Sequence, residues 1–237
     1  MALVVPAVLP SSRKDLEEKL ALFARIPSVN RVQIDIVDGR FATPASWPYV
    51  APEELRSMVG QHETLPRLDS IEYEIDIMCF DAELAAAPWL ALGATRLTFH
   101  AESITNLPRL LASARRRYGA GFTPGLISYG VALNIASDLA LIEPCVGEIE
   151  YVQFMGISRI GRQGQPFDRR VLEKVRAFHN RHPELPLQVD GGVSLSNARE
   201  LIALGVSSLI IGSGLLRASD PAAALAAFEG LQGSYGV

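Results

Sequence analysis

Val32-Gln33-Ile34-Asp35-Ile36-Val37-Asp38-Gly39-Arg40-Phe41 is the stretch that decides the fold. Apolar and polar residues alternate along it as in a strand, and Gly39 follows at once to turn the chain. Two carboxylates, Asp35 and Asp38, lie three positions apart at the strand's end. In a parallel barrel the carboxyl ends of the strands face the active site, so Gln33, Asp35 and the turn around Asp38 are expected to point into one cavity.

Outward from this stretch, strand and helix patterns alternate. An apolar run over 3–9 stops at Pro10, and Ser11-Ser12 then cap a helix over 13–26 with Leu16, Leu20 and Phe23 on one face. A loop over 41–52, rich in proline and aromatics, precedes a helix over 52–62. A strand over 71–78 alternates Tyr73, Ile75 and Ile77 against Glu74, Asp76 and Met78, with Asp81 as cap of the next helix. A strand over 96–100 leads to a helix over 106–117, a glycine-rich connector over 118–129, a strand over 130–134 and a short helix through Leu141. Strands over 151–155, 187–190 and 208–211 follow, with helices over 168–179 and 196–204 and a last helix opened by Asp220-Pro221. Eight such pairs predict an α/β protein built as a single (β/α)8 TIM barrel over 1–237.

Composition narrows the class. With 237 residues, 49% of them hydrophobic, the chain can bury one large core. A net charge of -4 and the lack of a basic face argue against nucleic acid, and Arg115-Arg116-Arg117 reads as a helix end complementing its dipole. Cys79 and Cys145 are too few for a disulfide framework. No apolar run approaches the ~18 residues of a membrane span, and no basic leader opens the chain. A cytoplasmic homo-oligomer is expected, with neither nucleic acid nor membrane as partner.

Two constellations carry chemistry. Val189-Asp190-Gly191-Gly192 and Ile211-Gly212-Ser213-Gly214 close consecutive strands, where glycine lets backbone N–H groups approach a phosphate. Asp35, Asp76 and Asp190 fall at the ends of separate strands, with His100 on another. Converging carboxylates need a cation, donors or shared protons. Asp35 and Asp190 form the expected acid/base pair for proton abstraction beside a carbonyl, one on each face of a flat enediolate. His100 is placed to reach a substrate oxygen, and Arg159 and Arg162 to clamp a phosphate or second acid group. Trp47 and Tyr49 are read as covering the site or an oligomer contact, Trp89 as helix packing, and His62, His179 and His182 as surface residues.

The opening stretch, with Leu97-Thr98-Phe99-His100-Ala101-Glu102, Gly130-Val131-Ala132-Leu133-Asn134, the glycine-rich loop after Met155, Val189-Asp190-Gly191-Gly192-Val193 and Gly212-Ser213, resembles the ribulose-phosphate 3-epimerase family. The resemblance runs through most of the chain in order. It implies a barrel that interconverts D-ribulose 5-phosphate and D-xylulose 5-phosphate, usually with one divalent metal held by two His and two Asp. It makes Asp35 and Asp190 the acid/base aspartates and metal ligands. It gives Gly191, Gly192, Gly212, Ser213 and Gly164 to the phosphate, and adds His100 and Asn134 to the substrate contacts.

The chain departs from that family at telling positions. Gln33 stands where the family has its first metal-binding His, in His-x-Asp-x-Met-Asp-Gly, and Asp76 where it has the second. Pro6-Ala7-Val8-Leu9-Pro10 lacks the hydroxyls of Pro-Ser-Ile-Leu-Ser. Arg159-Ile160-Gly161-Arg162-Gln163-Gly164-Gln165 replaces Pro-Gly-Phe-Gly-Gly-Gln and is one residue longer. A site of Gln33, Asp35, Asp76 and Asp190 offers only oxygen or amide ligands, which suit Mg2+ or Mn2+ better than Zn2+. The other expectation is a metal-free site, with Gln33 as neutral donor and one aspartate protonated. Two rival functions stand beside epimerisation. One is a sugar-phosphate lyase or decarboxylase, disfavoured because Ile36 and Val37 leave no Asp-x-Lys pattern; the other is a sensor or partner module that binds sugar phosphates without turning them over.

Overall fold

A computed structural model describes residues 2–119 and 126–231. Its eight parallel strands close in sequence order into a barrel: β1 (Leu3–Val8), β2 (Arg31–Val37), β3 (Glu72–Met78), β4 (Arg96–His100), β5 (Ser128–Leu133), β6 (Tyr151–Met155), β7 (Leu187–Asp190) and β8 (Ser208–Ile211). Closure comes from β8 pairing with β1, Val5 opposite Ile210. The outer ring is α1 (Arg13–Phe23), α2 (Pro52–Gly60), α3 (Ala82–Ala91), α4 (Leu107–Ala114), α5 (Arg170–His179), α6 (Leu195–Ala203), α7 (Ser213–Leu216) and α8 (Pro221–Gly230). Among the described residues no helix is long and apolar enough to cross a membrane, and Cys79 and Cys145 are free and buried.

The expected alternation fails at one crossover. After β5 the expected short helix through Leu141 is a 3-10 segment, Leu139–Leu141, and a second one, Glu143–Glu148, follows, so this crossover carries no α-helix. Pro144 has no N–H to return to Ala140, so an α-helical ladder cannot cross it. β5 also starts at Ser128, two residues before the expected Gly130, and the connector's residues 120–125 lie outside the described residues.

Three local readings change as well. Asp81 precedes α3 but its side chain accepts no capping bond; it pairs with Arg40 at 3.1 Å. The Arg115-Arg116-Arg117 cluster does fall at the helix end, with Arg115 as the C-cap of α4, and the Arg115 guanidinium also donates to Glu148 O and Glu150 Oε1, both at 2.6 Å, tying that end to the start of β6. Trp47 is fully buried, edge-on to Trp89 with ring centres 5.8 Å apart, and its Nε1 donates to Glu54. It therefore covers neither the site nor a partner surface. His179 and His182 are half-buried, with His182 on Glu143, while His62 is exposed.

The strands' two faces divide the chemistry. Outward-facing Ile34, Ile36, Tyr73, Ile75, Phe99, Val152, Phe154 and Val189 join the helices in one apolar core. The inward face is polar on six strands: Gln33 and Asp35 on β2, Glu74 and Asp76 on β3, Thr98 and His100 on β4, Gln153 on β6, Gln188 on β7, and Ser208 on β8, all buried. Val5, Ala7 and Ile210, on β1 and β8, make a small apolar patch inside. A strand with both faces enclosed can hold such polar residues if each group finds a partner.

Glu74 anchors the lower network. It accepts from Thr98 Oγ1 at 2.7 Å, from Arg96 Nε at 3.1 Å and from Gln188 Nε2. The Arg96 guanidinium also lies 4.0 Å from the Tyr151 ring centre, so the cation is held by charge and by the aromatic face. Removing one partner of a buried pair leaves a charge that nothing compensates. Arg96→Met should therefore destabilise the fold by about 3–5 kcal/mol, read as a lower midpoint in urea, whereas Lys14→Ala at an exposed α1 pair should leave the midpoint unchanged. Equal midpoints for the two variants would contradict this account.

Candidate active site

The alternation of β2 brings Gln33 and Asp35 to the same inner side. Register then places Asp35 beside Asp76 on β3, while Asp190 ends β7 opposite Met155. Oxygens of Asp35, Asp76 and Asp190 lie within 4.8 Å of one another. Gln33 Nε2 donates to Asp35 Oδ1 at 2.9 Å and to Asp190 Oδ2 at 3.3 Å, so one amide ties the two expected acid/base groups together. Asp76 accepts from Gln153 Nε2 at 3.1 Å and lies 2.9 Å from His100 Nε2.

The electrostatics follow from burial. Asp35 is held well above the usual carboxylate range, first by burial and then by the charges of Asp190 and Asp76; the Gln33 donor works the other way. Asp190 is pushed up to about 7, by burial and then by Asp76, against the opposing Gln33 and His100. Burial works against a charged His100, but Asp76 outweighs it and the imidazole titrates above its ordinary value. Around neutrality the cluster therefore shares protons among groups that cannot all ionise.

The phosphate-side residues meet this pair. Gly164, Gly191, Gly192, Gly212 and Ser213 line one cavity of about 50 Å³ together with Asp35 and Asp190. Gly192 adopts a φ of +68°, and a Cβ there would stand 2.6 Å from Phe167 Cα, so the turn after β7 admits no side chain. The loop after β6 closes the cavity: Gln163 Nε2 donates to Ala7 O at 3.3 Å, and Arg162 Nε to Thr43 O at 3.0 Å. Ile160 packs with Leu9 and Phe41 against Val37, Ala42 and Met78.

Other expected contacts fall elsewhere. Asp38 does not enter the cavity; Oδ1 accepts from the N–H groups of Arg40 and Phe41, both at 2.7 Å, and Oδ2 from Phe80 N, so it holds the turn after β2. Three residues from Asp35, it falls on the other side of the pleat. His100 is fully buried behind Asp76, where it contacts that carboxylate instead of lining the cavity. Asn134 lines an adjacent pocket with Arg159 and Arg162, apart from the glycine turns. Gln153 and Gln188 escape the sequence reading, although Tyr151-Val152-Gln153-Phe154-Met155 carries the same period of two as β2. They link Asp76 to Glu74 through a bond of 2.7 Å between Gln188 Nε2 and Gln153 Oε1.

Gln33 Oε1 is buried without a hydrogen-bond partner. That orphaned oxygen beside three carboxylates fits a hard divalent cation, which Asp35, Asp76, Asp190 and Gln33 could hold. No imidazole joins the set, since His100 reaches it only through Asp76.

A closed eight-stranded parallel barrel with buried carboxylates beside glycine turns at its strand ends defines the class: a (β/α)8 barrel. The Ribulose-phosphate 3 epimerase family matches residues 3–216, and the chain belongs to it. Ribulose-phosphate 3-epimerase of Escherichia coli (strain K12) is 24% identical over 92% of this chain and 90% of its own length. The cytoplasmic isoform of ribulose-phosphate 3-epimerase from Oryza sativa subsp. japonica is 26% identical over 96% and 93%. Among solved structures, KGPDC from Streptococcus mutans superposes with a TM-score of 0.71 at 17% identity, over 99% of both chains, a likeness of fold.

Two expectations follow for this cluster. A buried acid with a raised pKa binds its proton more tightly folded than unfolded; its stabilisation is present below the unfolded value, 3.8, and is lost as pH rises through about 7. Urea midpoints of chelator-treated protein should thus fall from about pH 4 to pH 7 more steeply than those of Asp190→Asn, and parallel profiles would contradict the shift. In calorimetric titrations, Gln33→His/Asp76→His should gain affinity for Zn2+ relative to Mn2+; an unchanged ratio would separate these residues from any cation site.

Proposed function

We propose that this family member epimerises a phosphorylated ketose, with ribulose 5-phosphate to xylulose 5-phosphate as its reaction. The observation that carries the reading is the Gln33-bridged pair Asp35 and Asp190, lining one cavity with the turns of Gly191, Gly192, Gly212 and Ser213. The backbone N–H groups of those turns and of Gly164 bind the phosphate, which fixes the sugar's far end. One aspartate, ionised, removes the proton from C3; the electron pair moves into the adjacent carbonyl to give an enediolate. The other, protonated, returns a proton to C3 from the opposite face and so inverts the centre. Their raised pKa values support this division, because only one of two adjacent buried carboxylates need carry charge at a time.

A divalent cation, Mg2+ or Mn2+ by the chemistry of the donors, would stabilise the charge that develops on the enediolate oxygens. Gln33 keeps the two carboxylates oriented through its amide N–H donors, and His100 with Gln153 fixes Asp76. Residues 161–165 of the loop after β6 line the cavity and would shield an enediolate there from water. Lyase chemistry has less support: no lysine lines this cavity among the described residues.

Incubation with ribulose 5-phosphate in D2O should place solvent deuterium at C3 and yield xylulose 5-phosphate. Asp35→Asn and Asp190→Asn should each lower kcat by about 10²–10⁴-fold. Binding without exchange or inversion in the unaltered protein would leave a sugar-phosphate-binding module in place of an epimerase.

A further inference from the structure

Beside the cavity of the acid/base pair lies an open pocket of about 490 Å³ that the proposed reaction does not use. Arg159 and Arg162 line it, with Phe41, Thr43, Asn134 and Ser137 among its walls, and it has no acidic side chain among the described residues. Among those residues neither arginine has an ion-pair partner, whereas Arg96, Arg115, Arg169 and Arg170 each sit on a carboxylate. Arg162 Nε is fixed on Thr43 O at 3.0 Å, which leaves the far edge of its guanidinium for another acceptor. Asn134 Oδ1 is buried without a partner, while the residue's backbone is held rigidly: its N–H donates to Glu102 at 2.7 Å and its carbonyl accepts from Lys174 at 2.6 Å.

The pocket also communicates with the reacting centre. Arg162 lines both spaces, and the same loop after β6 carries Gly164 on the phosphate side and Arg159 on the other. Two guanidiniums with no counter-charge of their own among the described residues form an anion site, since a guanidinium presents paired donors to carboxylate or phosphate oxygens.

We propose that this pocket is a subsite for a second acidic group of the substrate, a carboxylate or phosphate at the end of the sugar remote from the phosphate held by the glycine turns. The inference rests on the sugar-phosphate reading and deepens it: the preferred substrate is an open-chain sugar with an acidic group at each end, and ribulose 5-phosphate fills only one of two anion sites. The added arginines explain why the loop over 159–165 has its own sequence.

Calorimetry with ribulose 5-phosphate and ribulose 1,5-bisphosphate tests it. The bisphosphate should bind at least ~10-fold more tightly to the unaltered protein. Arg159→Gln should abolish most of that preference, and Arg159→Lys should retain part of it, with thermal melts confirming that both variants fold. Equal affinities, or a preference that survives Arg159→Gln, would overturn the subsite while leaving the epimerase reading intact; failure of both sugars to bind would overturn both. Inorganic phosphate titrated into protein saturated with ribulose 5-phosphate separates the sources. An Arg159-dependent second phosphate, with no advantage for the bisphosphate, would mean a site for free anion and also overturn the proposal.

Discussion

Carboxylates whose oxygens lie within 4.8 Å of one another cannot all be ionised, dry and unpartnered, and the arrangement of this barrel follows from how that conflict is met. Gln33 donates to both Asp35 and Asp190, His100 and Gln153 serve Asp76, and the raised pKa values absorb what the donors leave uncompensated. Because the acidic cluster is buried at the strand ends, the layer beneath it is polar too. Gln188 and Gln153 connect it to Glu74, which Arg96 neutralises. The apolar core that holds the fold together is displaced outward, between strands and helices.

This division lets one scaffold be stable and reactive at once. The outer core joins the strands to the helices, and the inner positions carry polar residues held in a hydrogen-bonded network of their own. The replacement of an imidazole by an amide at residue 33 illustrates it. Gln33 cannot supply a ring nitrogen, yet it bridges two carboxylates and leaves its own oxygen free for a cation. Where the resemblance implies nitrogen and oxygen donors, this chain offers oxygen alone.

Much of this was legible in the residues. The period of two in β2 and β3 and the glycines after β7 and β8 led to the barrel and to Asp35 and Asp190 at its strand ends, because strand parity and turn geometry are local properties. Asp38 shows the limit: its spacing from Asp35 put it on the other side of the pleat, where it caps a turn. The short helix expected through Leu141 is a single 3-10 turn, Leu139–Leu141. Trp47 could not be placed from its loop, since its burial depends on that loop meeting Trp89 of α3, 42 positions further along.

By itself the sequence determined the fold class, the order of strands and which residues share a strand face, since backbone sterics and hydrophobic periodicity act between near neighbours. Only the tertiary structure decided which inward residues meet. Barrel closure sets Gln33 against Asp190, 157 positions away, His100 behind Asp76, and Asn134 beside the two arginines. Those contacts depend on the shear of the closed sheet and the path of the loops, and they determine where the charges are held and which oxygens remain free.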